Sequence, residues 1–374
     1  MKVLFISLGC DKNLVDSEVM LGLLSRHGYE FTDDEEEAEA VVINTCCFIN
    51  DAKEESIQTI LELAELKKTG QLKALIVAGC LAQRYQAEIQ KEIEEVDAII
   101  GTTALERVVE TLDEVLDGKG ENHLEALDKA PLGGKERVLT TGGYFSYLKI
   151  AEGCNKHCTY CIIPKVRGEY RSVPMELLLD EARQLAGKGI KELILVAQET
   201  TLYGMDLYGE KKLPELLDRL CEIEGLIWIR IMYCYPEEIT QELIDVMKRQ
   251  PKICHYLDIP IQSGSDRILK LMGRRTDTAQ IEALVDHLRE EIPDICIRTT
   301  FITGFPTETE EDFTETMEFI NRMEFDRLGA FTYSPEEGTP ASGMDGQVEE
   351  EIKIRRQQEM MELQQEIAFE AAEN

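Results

Sequence analysis

The chain has 374 residues, 43% of them hydrophobic, and carries 73 acidic against 40 basic residues for a formal net charge of -33. That length predicts two domains rather than one core, and the acidity argues against unaided nucleic-acid binding, which rests on neutralising phosphates with Lys and Arg. No run reaches the roughly 18 apolar residues of a membrane span and no basic leader precedes Val3. A cytoplasmic chain is therefore expected, whose eleven cysteines serve as metal ligands or core rather than disulfides.

Residues 1–117 alternate short apolar runs with helical patterns. Val3 to Leu8, Val41 to Asn44, Ala74 to Ala78 and Asp97 to Ile100 read as buried strands. Asn13 to His27, Asp51 to Lys68, Gln83 to Glu95 and Leu105 to Leu116 read as the helices between and after them. This alternation predicts a parallel α/β sheet covered on both faces. Cys10, Cys46 and Cys80 each follow one of the first three strands. Parallel strands put all such turns at one carboxyl edge, where these folds place their sites, so the three thiols are candidates for a shared metal cluster. Gly9 and Gly79 directly precede two of them and permit close backbone approach. Ordinary burial of small apolar cysteines at strand ends is the competing account.

The pattern breaks down over 118–143, a Gly- and Pro-punctuated polar stretch read as a linker. A second βα series spans 144–347, with candidate strands at Tyr147 to Ala151, Glu192 to Ala197, Ile227 to Tyr233, Tyr256 to Ile259, Ile295 to Ile302 and Arg327 to Tyr333. Six units are too few for a closed eight-fold barrel and fit a partial, open (β/α)6 barrel with its site at the carboxyl ends of the strands. Segment 348–374 reads as a C-terminal amphipathic helix.

Directly after the first of these strands stands Cys154-Asn155-Lys156-His157-Cys158-Thr159-Tyr160-Cys161. A C-x3-C-x2-C loop can bring three thiolates to a [4Fe–4S] cluster and leave one iron open for chemistry. Zinc bound by Cys154, His157, Cys158 and Cys161 is the alternative; zinc loops, however, typically pair two C-x2-C knuckles, and no second knuckle is present.

The strand ends of the second series are polar: Gln198-Glu199, Gln262-Ser263-Gly264-Ser265, Gly304 and Ser334. Such turns can hold a nucleotide-like ligand, although Ser263, Ser265 and Ser334 also sit where helix caps belong. Arg298, a charge inside an apolar strand, needs a partner, either a ligand carboxylate or a structural acid. Cys47, Cys221, Cys234, Cys254 and Cys296 lie in or beside apolar runs and are expected in the core.

Taken together, Leu8-Gly9-Cys10-Asp11-Lys12-Asn13, Asp16-Ser17-Glu18, Asn44-Thr45-Cys46, Ala78-Gly79-Cys80, the cluster loop, Val166-Arg167-Gly168-Glu169-Tyr170-Arg171-Ser172 and Gln262-Ser263-Gly264-Ser265 resemble the radical S-adenosylmethionine methylthiotransferases. The resemblance covers essentially the whole chain. Gly9 to Asp16 and Gln198 to Leu207 are similar to the RimO-type branch, which modifies the β-carbon of an aspartate in the twelfth small-subunit ribosomal protein. Strong acidity agrees with a basic ribosomal protein partner. The tRNA-modifying branch, acting as an adenosine 2-methylthiotransferase, is the alternative, with tRNA disfavoured by the charge; a non-enzymatic iron–sulfur electron carrier is the reading from another class.

The resemblance implies two [4Fe–4S] clusters, one on Cys10, Cys46 and Cys80 and the radical-generating one on Cys154, Cys158 and Cys161. It also implies S-adenosylmethionine as cosubstrate, an electron donor and a sulfur source. Tyr160 is the aromatic expected against the adenine, and Gln198, Ser263 and Arg298 are further candidate contacts to that cosubstrate. Members of the family normally continue into a TRAM β-barrel; the chain stops at Asn374, so a shortened form is expected.

Overall fold

Short apolar runs, buried on both faces, organise the first half of the chain. Residues 1–373 are described by the computed structural model, so the last residue of the expected helix over 348–374 lies outside the described residues. The chain divides into two units, Met1–Asn155 with Ile162–Gly189, and Lys156–Cys161 with Ile190–Asn374.

In the first unit β1 (Lys2–Ser7), β2 (Glu30–Phe31), β3 (Ala40–Thr45), β4 (Ala74–Gly79) and β5 (Ala98–Ile100) form a sheet in the order β2-β1-β3-β4-β5, and every pair is parallel. Parallel strands need crossovers, and these run through α1 (Asp11–Arg26), α2 (Asn50–Lys68), α3 (Cys80–Arg84) with α4 (Gln86–Glu92), while α5 (Val108–Leu116) follows β5. Because side chains alternate along a strand, β3 and β4 feed two cores. Val41, Ile43, Leu75 and Val77 face Ile60, Leu63 and Ala64 of α2. Val42, Ile76 and Ala78 join Met20 and Leu24 of α1 and Leu112 of α5. Full burial of a Leu or Met side chain contributes about 1.5–3 kcal/mol, so both faces are firmly covered.

The expected helix over Gln83 to Glu95 is two short helices, α3 and α4, separated at Tyr85, whose backbone leaves the helical region. The stretch 118–143 packs within the first unit. His123 bridges to Ile100, Val138 N–H donates to the Glu18 carbonyl at 3.2 Å, and the Arg137 guanidinium is buried beside Glu18 and Glu181. Beyond it come β6 (Phe145–Lys149), β7 (Ala151–Glu152), α6 (Ile163–Arg167), β8 (Arg171–Ser172) and α7 (Met175–Gly187). The strand expected over Tyr147 to Ala151 is thus broken at Ile150, after which β7 pairs antiparallel with β8.

In the second unit β9 (Glu192–Val196), β10 (Trp228–Ile231), β11 (Ile253–Asp258), β12 (Cys296–Thr303) and β13 (Arg327–Thr332) lie in the order β13-β12-β11-β10-β9, all parallel. With β6 these are the six strands expected from the sequence. Helices α8 (Met205–Tyr208), α9 (Leu213–Cys221), α10 (Gln241–Arg249), α11 (Asp266–Leu271), α12 (Thr278–Glu291) and α13 (Glu310–Met323) fill the connections, and α14 (Glu350–Glu373) follows β13. Full capping boxes start α12, at Asp277 with Gln280, and α13, at Thr309 with Asp312. Cys47, Cys221 and Cys234 are buried as expected of core residues; Cys254 and Cys296 are only partly so, because they stand on the half-exposed positions of β11 and β12. The architecture is an N-terminal parallel α/β sheet followed by a partial, open barrel. Among the described residues no helix is long and apolar enough to cross a membrane.

Candidate iron–sulfur and cosubstrate sites

Register explains how three distant cysteines meet. Ser7 pairs with Asn44 and Asn44 with Ala78, so β1, β3 and β4 end together and Cys10, Cys46 and Cys80 leave from one edge. Asn13 ties their turns to one another. Its Nδ2 donates to the carbonyls of Leu8 and Thr45, each at 2.9 Å, and the Cys80 thiol lies 3.9 Å from its Oδ1. Ser56 Oγ holds Cys46 on both sides, accepting from its N–H at 3.1 Å and donating to its carbonyl at 3.0 Å.

Two glycines make this approach possible. Both have positive φ, and a Cβ on Gly9 would stand 2.7 Å from Cys46 Cβ, while one on Gly79 would stand 2.3 Å from Asn44 Oδ1. Burial pushes the Cys46 thiol up to about 11, with Cys80 and Cys10 adding to the rise. Cys80 is also raised by burial, against the pull of Arg167. The buried Cys46 and Cys80 thiols resist ionising at this sheet edge, and a metal centre that takes them as thiolates relieves that cost. The donor set therefore fits a three-thiolate cluster. Among the described residues no three His, Cys, Asp or Glu side chains are gathered tightly enough to share a single ion; the thiolates of a [4Fe–4S] cube bind different irons and stand further apart.

Along the C-x3-C-x2-C loop, Cys154 belongs to the first unit, where its N–H donates to the Gly168 carbonyl at 3.1 Å. Cys158 and Cys161 belong to the second. There the Cys158 sulfur lies 3.7 Å from the Tyr235 hydroxyl and 3.8 Å from Arg274 Nη1, and Arg274 Nη2 donates to the Pro260 carbonyl at 2.7 Å. A cation fixed beside the sulfur offsets the charge of a thiolate ligand. Tyr235 is flanked by Arg274 at 4.4 Å and Lys156 at 4.9 Å from its ring centre. Tyr160 packs on Ile268, Met272 and Phe305.

The strand ends around this loop are strained and polar. Tyr233 and Gln262 hold φ of 57° and 82°, a region that side chains other than glycine rarely adopt, and such strain gathers at functional sites. Gln198 Oε1, Gln262 Oε1 and the Tyr333 hydroxyl are buried atoms without a hydrogen-bond partner among the described residues. Buried polar atoms are otherwise almost always paired, so these fit a polar ligand at the carboxyl edge. Glu199, 1% exposed, faces Lys156 at 3.6 Å. Burial raises its carboxyl to about 7, Lys156 opposing.

Of the other expected contacts, Arg298 has a structural partner, Asp258 at 2.6 Å, whose other oxygen accepts from Tyr233 N–H. Ser263 Oγ accepts from Ser265 N–H at 3.1 Å and lies 3.5 Å from Thr316 Oγ1. Ser265 stands at the N-cap position of α11 but makes no cap bond; its hydroxyl donates to Asp312 at 3.0 Å, a stronger acceptor interaction than an exposed cap. Sequence reasoning assigned no role to Asn13, Arg167, Lys156 or Arg274. For Asn13, Lys156 and Arg167 the only signal was position, inside or beside the cysteine-bearing motifs, and Arg274 carried none.

A parallel α/β sheet followed by a partial barrel and a three-cysteine loop is the organisation of a radical S-adenosylmethionine enzyme, and the Radical SAM superfamily matches residues 148–320. The uncharacterized protein family UPF0004 matches residues 2–101. The chain is 63% identical to the ribosomal protein uS12 methylthiotransferase RimO of Lachnoclostridium phytofermentans over 100% of its own length and 85% of that protein. It is 50% identical to that of Clostridioides difficile, over 99% and 83%. The chain belongs to the RimO family of radical S-adenosylmethionine methylthiotransferases. A solved radical S-adenosylmethionine methyltransferase from Kitasatospora setae shares the fold, with a TM-score of 0.64 at 14% identity over 91% of this chain and 76% of that one.

Proposed function

We propose that this enzyme inserts sulfur and a methyl group at the β-carbon of an aspartate of the ribosomal protein uS12, giving 3-methylthioaspartate, in the cytoplasm where ribosomes are built. Two [4Fe–4S] clusters serve it, on Cys154, Cys158 and Cys161 and on Cys10, Cys46 and Cys80. When bound, the clusters and S-adenosylmethionine supply the electron, the hydrogen-abstracting radical, the sulfur and the methyl group that no side chain of the protein provides. An electron donor and a sulfur source complete the reaction.

The protein's own residues hold and screen these groups. Asn13 spaces the three turns of the N-terminal trio, and Gly9 and Gly79 let them close. Arg274 offsets charge at Cys158. Tyr160 is the surface for an adenine, while Gln198, Glu199 and Ser263 offer polar partners to the cosubstrate, Glu199 to its ammonium. Arg298 acts on the site through Asp258.

The observation that carries the reading is that Asn13 joins the turns of Cys10, Cys46 and Cys80, which gives the chain a cysteine trio beyond the radical-generating loop. Anaerobic reconstitution, iron and sulfide counting, and incubation with reductant, S-adenosylmethionine and a peptide of the uS12 target loop test it. About eight irons and a methylthio mass gain on the aspartate are expected. About four irons per chain with deoxyadenosine and no sulfur insertion would overturn the assignment of the trio, and modification of tRNA instead of the peptide would overturn the substrate.

A further inference from the structure

Arg167 closes α6 with its side chain almost wholly buried, 2% exposed, a position in which a guanidinium is costly unless fully paired. Its partners are asymmetric. Nη1 donates to Asp16 Oδ2 at 2.9 Å and to Glu152 Oε2 at 2.9 Å, whereas Nη2 donates to Asn13 Oδ1. That same Asn13 oxygen faces the Cys80 thiol, and the Asn13 amide reaches Leu8 and Thr45 in the turns of Cys10 and Cys46. Lys149 pairs with Asp16 and Glu152, so two cations answer two carboxylates before any thiolate is counted. A network serving stability alone would need no end turned to sulfur. Here one nitrogen of the guanidinium meets the carboxylates while the other meets the Asn13 oxygen that faces the Cys80 thiol, so part of its charge is directed toward the trio's turns.

We propose that Arg167 is a positioning residue of the Cys10, Cys46 and Cys80 trio, locking Asn13 so that the three turns keep their spacing and standing as the buried countercharge to the anionic centre those thiolates hold. The proposal rests on the assignment of a cluster to the trio. Net charge and hydrogen bonding near the sulfurs set the potential of such a centre, and a fixed cation favours its reduced form. Arg167 thus makes this cluster easier to reduce than its thiolates alone would allow.

The test uses the full chain carrying C154A, C158A and C161A, so that only the N-terminal trio takes up iron. Iron and sulfide per chain are counted after anaerobic reconstitution, and the midpoint potential is read by redox titration with electron paramagnetic resonance. Arg167→Met is expected to lower iron uptake and to make the potential more negative by at least a tenfold change in the reduction equilibrium, about 59 mV for one electron; Arg167→Lys restores most of both. Asp16→Asn, which strips a carboxylate from the guanidinium, is expected to move the potential the opposite way. If far-UV circular dichroism shows that Arg167→Met does not fold, the sign of the Asp16→Asn shift decides. Parental iron content with an unmoved potential in every folded variant overturns the proposal alone. A parental protein that takes up no iron overturns the trio assignment and the proposal with it.

Discussion

The ammonium of Lys156 stands 3.6 Å from a carboxylate oxygen of Glu199, and both side chains are almost completely buried. Glu237 and Glu238 contact the same ammonium and Lys211 answers Glu238 from its other side, so two cations serve three acids and a ligand ammonium can add to them. Burial raises Glu199 to about 7, with Lys156 opposing and Glu238 adding to the rise. A ligand ammonium binds the carboxylate form, so affinity for S-adenosylmethionine is expected to fall as pH drops through about 7. Glu199→Gln should flatten that dependence and weaken binding by about tenfold or more, the worth of a charged hydrogen bond. Equilibrium dialysis across this range checks it, and a flat parental profile would remove Glu199 from the site. Stability runs the other way. A carboxyl raised above its unfolded value of 4.5 stabilises the fold when protonated, and that contribution is lost as pH rises from the unfolded to the folded value. The ligand-free Glu199→Gln protein is therefore expected to be the more stable one above pH 7, by up to about 3 kcal/mol.

Gly79 is confined by both its backbone and its neighbours. Its φ is +92°, and a Cβ would meet Asn44 Oδ1 at 2.3 Å and the Thr45 carbonyl at 2.7 Å. Gly79→Ala is expected to cost about 2–4 kcal/mol, combining backbone strain with overpacking. Gly28 has a similar φ of +96° with nothing within 4 Å, so Gly28→Ala carries only the backbone cost of about 1–2 kcal/mol. Urea unfolding separates the two, and iron uptake should fall in Gly79→Ala alone. Equal costs would mean that the crowding around Asn44 relaxes freely.

The sheet and its cysteine-bearing edge were legible because their cause is local. Runs such as Ala40–Thr45 and Ala74–Gly79 are buried throughout, and parallel pairing in register then carries each following turn to the same edge. The residues that organise that edge were not legible. Arg167 and Asn13 are 154 positions apart, and no periodicity connects an arginine at the end of a single helical turn to an amide in another helix. Arg298 read as a candidate for a ligand carboxylate because its neighbour Asp258 lies on another strand, 40 positions away. The hydroxyl of Ser265 matched the capping rule and lost to Asp312 for the same reason, an acid supplied from α13. Local chemistry thus placed the elements, and the long-range polar pairs had to await the fold.

Glu152 gives the acid side of the stability profile. Burial works against its ionisation, but Arg167 and Lys149 outweigh burial and hold the carboxyl at about 2. A folded value depressed below 4.5 contributes stability that is present above the unfolded value and lost as pH falls toward the folded one. Glu152→Gln is expected to cost about 3 kcal/mol near neutrality, the scale of breaking a buried ion pair, and the gap from the parent should narrow as pH falls from 4.5 toward 2. Denaturant unfolding at a series of pH values checks this. A gap that does not change with pH would assign the loss to packing rather than charge.

The two cysteine trios are separable by what each variant retains. Cys158 lies beside Arg274 and Tyr235 in the second unit, whereas Cys46 lies at the carboxyl edge of β3 in the first, braced by Ser56. Cys158→Ala is expected to abolish reductive cleavage of S-adenosylmethionine, because a three-thiolate cluster that loses one ligand no longer presents a defined open iron. Cys46→Ala should leave cleavage within about threefold of the parent while the methylthio product disappears, since the radical-generating ligands are untouched. Deoxyadenosine and modified peptide are quantified in the same reaction by mass spectrometry. Persistent cleavage in Cys158→Ala would break the assignment of the C-x3-C-x2-C loop. Product formed by Cys46→Ala would remove the N-terminal trio from sulfur insertion.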